Sequence, residues 1–199
     1  MARRPRRLFG HDGSPARLPT QPAAAPLLAG LRQEYHTLYG PDVAADVDQY
    51  SPIEFLPPSG AFLIVESEGR TIAGGALRRI GPGIGEIKRM WTDPRHRGEG
   101  HSRRVLSALE AAAVRRGYHT LRLMTGRRSH AAMGLYAAAG YREIPAYNGA
   151  FVGDPRAAWF EKRLDGRDHL GADALDRAEV VMRQVLEHHA LDARRRQAA

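Results

Sequence analysis

The stretch Arg95-His96-Arg97-Gly98-Glu99-Gly100-His101-Ser102 sits between an apolar extended segment and a helical one, and that junction constrains the fold more than any other part of the chain. Glycines at 98 and 100 allow a tight backbone turn that brings successive N–H groups close to a ligand. A helix beginning just after them adds the positive end of its dipole. Strand, glycine turn and helix start together suit a pyrophosphate, although a lone G-x-G is more often an ordinary turn into a helix. Two common nucleotide loops do not fit. A P-loop requires Gly-Lys-Ser/Thr at the helix start, where this chain has Gly-His-Ser; a Rossmann fingerprint requires a third glycine at position 103, which is arginine.

Periodicity places the flanking elements. Residues 23–39 read as a first helix, ended by Gly40-Pro41. An acidic, less regular stretch follows with Asp42, Asp46, Asp48 and Glu54, closed by Pro57-Pro58-Ser59-Gly60. Residues 61–67 and 71–80 are β-rich and flank Glu68-Gly69, which predicts a hairpin. A third strand is expected from Glu86. Val105, Leu106, Leu109 and Ala113 at helical spacing predict a helix over 102–116, stopped by Gly117. A strand over 121–125, a helix over 129–139 and strands over 141–144 and 158–164 complete the set. This order predicts an α/β (α+β) fold, a mixed and mostly antiparallel sheet with helices on both faces. Residues 1–22 are expected to be a disordered basic tail, 23–164 the folded domain, and 165–199 an extension with an amphipathic helix over 172–190.

Composition narrows the function classes. With 199 residues the chain is long enough for one domain with a proper core, and with no cysteine it has neither disulfides nor thiolate metal sites. No apolar run reaches the roughly 18 residues of a transmembrane helix, so no membrane role is expected. The Arg pairs before AAAPLLAGL resemble a signal peptide, but that stretch is short, contains Pro26 and runs into a charged helical pattern; a cytoplasmic protein is expected. The net charge is +8, with five arginines against one aspartate in residues 1–20. Such a charge suits nucleic acid or a phosphorylated cofactor equally, but the rest of the chain lacks aromatic interleaving or a helix-turn-helix pattern, so no nucleic-acid partner is expected. The nine histidines show no H-E-x-x-H pattern, and no metal is expected.

The strand, loop and helix resemble the R/Q-x-x-G-x-G/A signature of the GNAT superfamily of N-acetyltransferases, with Arg95, Gly98 and Gly100 in the fixed positions. The string Ile87-Lys88-Arg89-Met90-Trp91-Thr92-Asp93-Pro94 resembles that family's strand leading into the loop, and LYAAAGYREI (135–144) resembles its "LY…GF" helix-strand element. These elements cover roughly residues 61–164, in the family's order and spacing. The resemblance implies a GNAT fold of the bacterial small-molecule type, with acetyl-coenzyme A as cosubstrate and a small primary amine as acceptor that attacks directly in a ternary complex.

The resemblance also implies site residues. Backbone N–H groups of Arg97, Gly98, Glu99, Gly100, His101 and Ser102 would hold the pyrophosphate, with Arg97 or Arg103 adding charge. Members pair the pantetheine arm with the preceding strand, which here means main-chain contacts from Met90 and Thr92, the Met90 N–H facing the thioester oxygen. Tyr136 matches the tyrosine that protonates the departing thiolate; a phenol near pKa 10 stays neutral at neutral pH, whereas a thiol titrates at about 8.5. The alternative is a core aromatic. Glu86 resembles the catalytic glutamate of the superfamily's histone acetyltransferases, with ordered water as the alternative base and a solvated strand-entrance charge as the bland reading. Two departures stand out: His101 where a small residue is common, and Ser129 where many members place an asparagine that contacts the cofactor. The acidic stretch, which borders the acceptor site in similar proteins, predicts a small cationic acceptor, with Tyr147 and Phe151 as its apolar wall or a cation–π contact; an ordinary solvated acidic loop is the equal alternative. A GNAT-fold protein that binds acyl-CoA without catalysis is the competing function, and the 172–190 helix leaves a homodimer open.

Overall fold

Strand β1 (Ala61–Ser67) sends alternate side chains into two different apolar layers, as a period of two requires. Ala61 and Val65 enter one buried cluster with Leu63 against it, while Phe62 enters the other with Ile64 against it. The computed structural model describes residues 23–147 and 151–164. β2 (Arg70–Gly81) pairs antiparallel with β1 and repeats the alternation, Ala73 and Leu77 on the first layer and Ala76 on the second. β3 (Ile84–Thr92) pairs antiparallel with β2. β4 (Thr120–Gly126) lies parallel to β3. β5 (Arg142–Ile144) and β6 (Ala157–Arg163) follow, β6 pairing antiparallel with both β4 and β5. The sheet order is β1-β2-β3-β4-β6-β5, so the last strand inserts between two earlier ones.

The helices divide between the faces. α1 (Ala25–Tyr39) buries Leu27 and Leu31 in the layer of Phe62 and Trp91. The acidic stretch forms a single turn, α2 (Pro41–Ala44), then 3-10 turns at Ala45–Asp48 and Pro52–Phe55. α3 (His101–Arg115) buries Val105, Leu106, Leu109, Ala112 and Ala113 in the opposite layer, and α4 (His130–Ala138) joins it through Tyr136. This is the mixed sheet with helices on both faces that the element order predicts. The basic tail expected at 1–22 and the helix expected at 172–190 lie outside the described residues. Among the described residues, no helix is long and apolar enough to cross a membrane.

Two irregularities position the site. The first is a bulge in β3. Ala76 faces Lys88 and Gly74 faces Trp91, so Gly75 of β2 lies opposite two residues of β3, Arg89 and Met90. Met90 therefore packs on the α3 layer with Ile87, while Trp91 turns to the α1 layer. Arg89 takes a positive φ of 57° at the bulge, a conformation that costs a non-glycine residue about 1–3 kcal/mol. Its guanidinium is anchored against that cost, donating from Nη2 to the carbonyls of Val47 (2.9 Å) and Tyr50 (3.3 Å) and lying 4.3 Å above the Phe55 ring. Gly75 faces the bulge, where a Cβ would come within 2.5 Å of Met90 Sδ. The second irregularity is a split: β3 and β4 pair only from Ile84↔Thr120 to Ile87↔Leu123, although both strands continue beyond.

Candidate active site

A cleft of about 540 Å³ opens where β3 and β4 part. Its walls come from β3 (residues 87–92), the glycine loop and start of α3, the end of β4 (Met124 and Thr125), α4 (Ser129 to Tyr136) and the α1 residues Leu31, Glu34 and Tyr35. The registers of β3 with its neighbours omit Arg89 and Met90. The backbone there lies along the cleft with ladder positions to offer.

The loop is braced from within. Asp93 caps a 3-10 turn at Pro94–His96, accepting from the Arg95 N–H at 2.9 Å and from the Arg95 guanidinium at 2.6 and 3.0 Å. Those bonds hold the Asp93 carboxyl well below the usual range. Arg95, a fixed position of the signature, thus shapes the turn. Thr92 and Ser102 join hydroxyls at 2.8 Å, tying the end of β3 to the start of α3. Gly98 and Gly100 have φ of +81° and +79°, and a Cβ at either meets nothing within 4 Å. Gly100 is the N-cap of α3 without a side-chain cap, which leaves the first N–H groups of the helix to an external acceptor. Arg97 reaches away to Glu34 on α1 at 2.8 Å. The cleft also carries Lys88, Arg89 and Arg103, so its field favours a polyanion.

Tyr136 lines the cleft from α4 and is buried, with ring centroids 5.8 Å from Tyr141 and 6.1 Å from Phe160. Burial pushes its phenol above the ordinary range, which keeps the proton on the oxygen. Tyr35, from α1, lines the same cleft; burial and then the charge of an ionised Tyr136 raise it as well. Ser129 stands at the N-cap of α4 on the cleft wall.

Glu86 is placed elsewhere. It is fully buried and outside the cleft lining, its Oε2 accepting from Arg78 Nε and its Oε1 from the Tyr147 hydroxyl, both at 2.6 Å. Arg78 also reaches Glu54 at 2.6 Å and lies 4.0 Å above the Tyr50 ring. Of the four acids in the Asp42 to Glu54 stretch, Asp46 alone lines the cleft; Asp48 pairs with Arg32, and Glu54 with Arg78. Burial raises the Asp46 carboxyl, whose Oδ1 has no hydrogen-bond partner. A small pocket of about 40 Å³ adjoins, sharing Tyr35 and Asp46 and adding Tyr39 and Phe151. Tyr147, expected on the acceptor wall, instead covers Glu86. Sequence reasoning missed Tyr35 and the inward turn of Lys88 and Arg89. Tyr35 carries no motif, and the bulge carries no glycine of its own to announce it.

Residues 28–141 match the family model described as the acetyltransferase (GNAT) family. The chain is 32% identical over 108 residues to an IAA acetyltransferase of Azospirillum brasilense, covering 54% of this chain and 70% of that protein. It is 34% identical to a Klebsiella pneumoniae protein assigned to the acyl-CoA N-acyltransferases, with a TM-score of 0.62 over 75% of this chain and 94% of the other. The PaiA N-acetyltransferase of Thermoplasma acidophilum, solved with coenzyme A, shares the fold at 16% identity, with a TM-score of 0.56 over 69% of this chain and 91% of that one. The chain belongs to the GNAT acetyltransferase family.

Proposed function

We propose that this protein transfers an acetyl group from acetyl-CoA to the primary amine of a small molecule. The observation that carries the reading is the convergence on one cleft of an uncapped helix start behind two left-handed glycines, an unpaired stretch of β3 and the buried phenol of Tyr136. The pyrophosphate would lie on the N–H groups of residues 97–102, and the pantetheine arm would take the place of the missing strand along Met90 and Thr92. The amine nitrogen attacks the thioester carbon and the Met90 N–H stabilises the developing oxyanion. The C–S bond then breaks, and Tyr136 donates its proton to the sulfur. Burial raises a thiol as it raises a phenol, so their relative acidity decides the transfer. Ser129 adds a hydroxyl beside the cofactor.

The attacking amine must shed a proton. With Glu86 engaged by Arg78 and Tyr147, that proton passes to water held in the cleft, and Glu86 serves to hold the start of β3. Asp46, which shares the cleft with Lys88 and Arg89, receives the acceptor's ammonium end. Use of acetyl-CoA suits a cytoplasmic location, and sedimentation of the full chain against one ending at Leu164 tests whether residues 172–190 dock on their own domain or on a second copy; a monomer in both cases rejects the dimer. Release of free thiol from acetyl-CoA, followed across a panel of diamines, amino acids and aminoglycosides, tests the activity. Amine-dependent release is expected; binding of acetyl-CoA without transfer to any amine would leave the non-catalytic reading.

A further inference from the structure

The glycine turn does more than present N–H groups. In sequence, His96-x-x-Glu99-x-His101 has no helical ligand spacing, but the left-handed glycines at 98 and 100 fold the three side chains onto one another. Glu99 Oε2 lies 3.0 Å from His101 Nε2 and 3.4 Å from His96 Nδ1. One ligand atom from each residue falls within a sphere of contacts no wider than 4.8 Å. Tetrahedral zinc, with bonds of about 2.0–2.1 Å, sets its ligand atoms roughly 3.3–3.4 Å apart. Two of the three separations therefore stand near the edge length of that polyhedron, and the third lies within 4.8 Å. Two imidazoles and one carboxylate suit zinc-class ions, whereas magnesium and calcium prefer all-oxygen shells.

We propose that His96, Glu99 and His101 form a three-ligand site for a zinc-class divalent cation on the rim of the cleft, and that the bound ion tightens acetyl-CoA binding. The coupling rests on the pyrophosphate reading of the loop; the metal site does not. His96 and His101 line the cleft and Glu99 does not, so the ion sits beside the N–H cradle rather than in it. It cancels the Glu99 carboxylate, the one anionic group on this turn, and places positive charge near the pyrophosphate. It also fixes a tautomer. His101 Nδ1 is buried without a hydrogen-bond partner; a metal on Nε2 leaves the hydrogen on Nδ1, and a phosphate oxygen on the same loop supplies the acceptor.

Titration of the untagged full chain with zinc chloride, by calorimetry without cofactor, tests the site against His96→Ala and Glu99→Gln. Both changes lie on an exposed turn. Loss of a direct ligand should cost at least the roughly 10- to 100-fold in affinity that loss of an outer-shell partner costs. Zinc affinity equal in wild type and both variants would overturn the site, and an equal response to magnesium chloride would reduce it to charge pairing. Acetyl-CoA, which has no free thiol to capture zinc, is then titrated with EDTA or with zinc. Tighter binding with zinc in wild type, and no difference in the two variants, is expected; equal affinity in wild type would overturn the coupling. Absence of acetyl-CoA binding under both conditions would count against the cofactor reading, with the metal titration standing on its own result.

Discussion

Replacing Gly100 by alanine separates the cost of the loop to folding from its use in binding. At φ of +79° an L-residue pays about 1–2 kcal/mol, and no steric term adds to it because the new Cβ meets nothing within 4 Å. For a domain of this size that loss lowers Tm by roughly 2–8 °C. Binding should suffer more. The Cβ would occupy space needed by a phosphate, and each charge-assisted hydrogen bond lost is worth about 1.5–3 kcal/mol. Two such bonds amount to about 3–6 kcal/mol, or roughly 10²- to 10⁴-fold in Kd. Gly117→Ala is the matched control: Gly117 has φ of +76°, equally open space at its Cβ, and a place at the other end of α3. Calorimetric titration with acetyl-CoA and thermal melts of all three proteins give the comparison. Similar Tm losses in both variants, with affinity lost only in Gly100→Ala, are expected. Equal affinities in the two variants would refute the placement of the pyrophosphate.

Tyr136→Phe should keep acetyl-CoA affinity and lower kcat by about 10²- to 10⁴-fold, measured by thiol release with a productive amine; unchanged kcat would make Tyr136 a packing residue. Glu86→Ala removes one partner of a buried ion pair and should cost about 3–5 kcal/mol in denaturant melts. The more conservative Glu86→Gln should retain turnover per folded molecule; a folded variant without turnover would restore Glu86 as the base. Asp46→Asn should raise KM for a diamine more than for a neutral monoamine, and an equal change for both would remove Asp46 from acceptor binding.

The elements were legible wherever local chemistry is strong. The alternation in β1 and β2, the helical spacing of Val105, Leu106 and Leu109 and the stop at Gly117 all have local causes, and the strands and helices fall within a few residues of the expected bounds. The insertion of β6 between β4 and β5 has no such cause, because pairing partners are chosen by the whole sheet. The glycine loop was equally visible, since only glycine holds φ near +80° cheaply. The surroundings of the loop were less so. A charge does not declare its partner: Glu86 at a strand entrance resembles a free base until Arg78, eight residues back on the neighbouring strand, proves to lie against it. For the same reason four acids suggested a broadly anionic acceptor mouth, where pairing leaves Asp46 to line the cleft alongside Lys88 and Arg89.

The position of the bound cofactor tests the proposed function most directly. A crystal structure of the complex with coenzyme A should place pyrophosphate oxygens within hydrogen-bonding distance of N–H groups in residues 97–102. It should run the pantetheine arm along Met90 and Thr92 and bring the sulfur against the Tyr136 hydroxyl. A cofactor bound outside the β3–β4 split, or a sulfur remote from Tyr136, would contradict it.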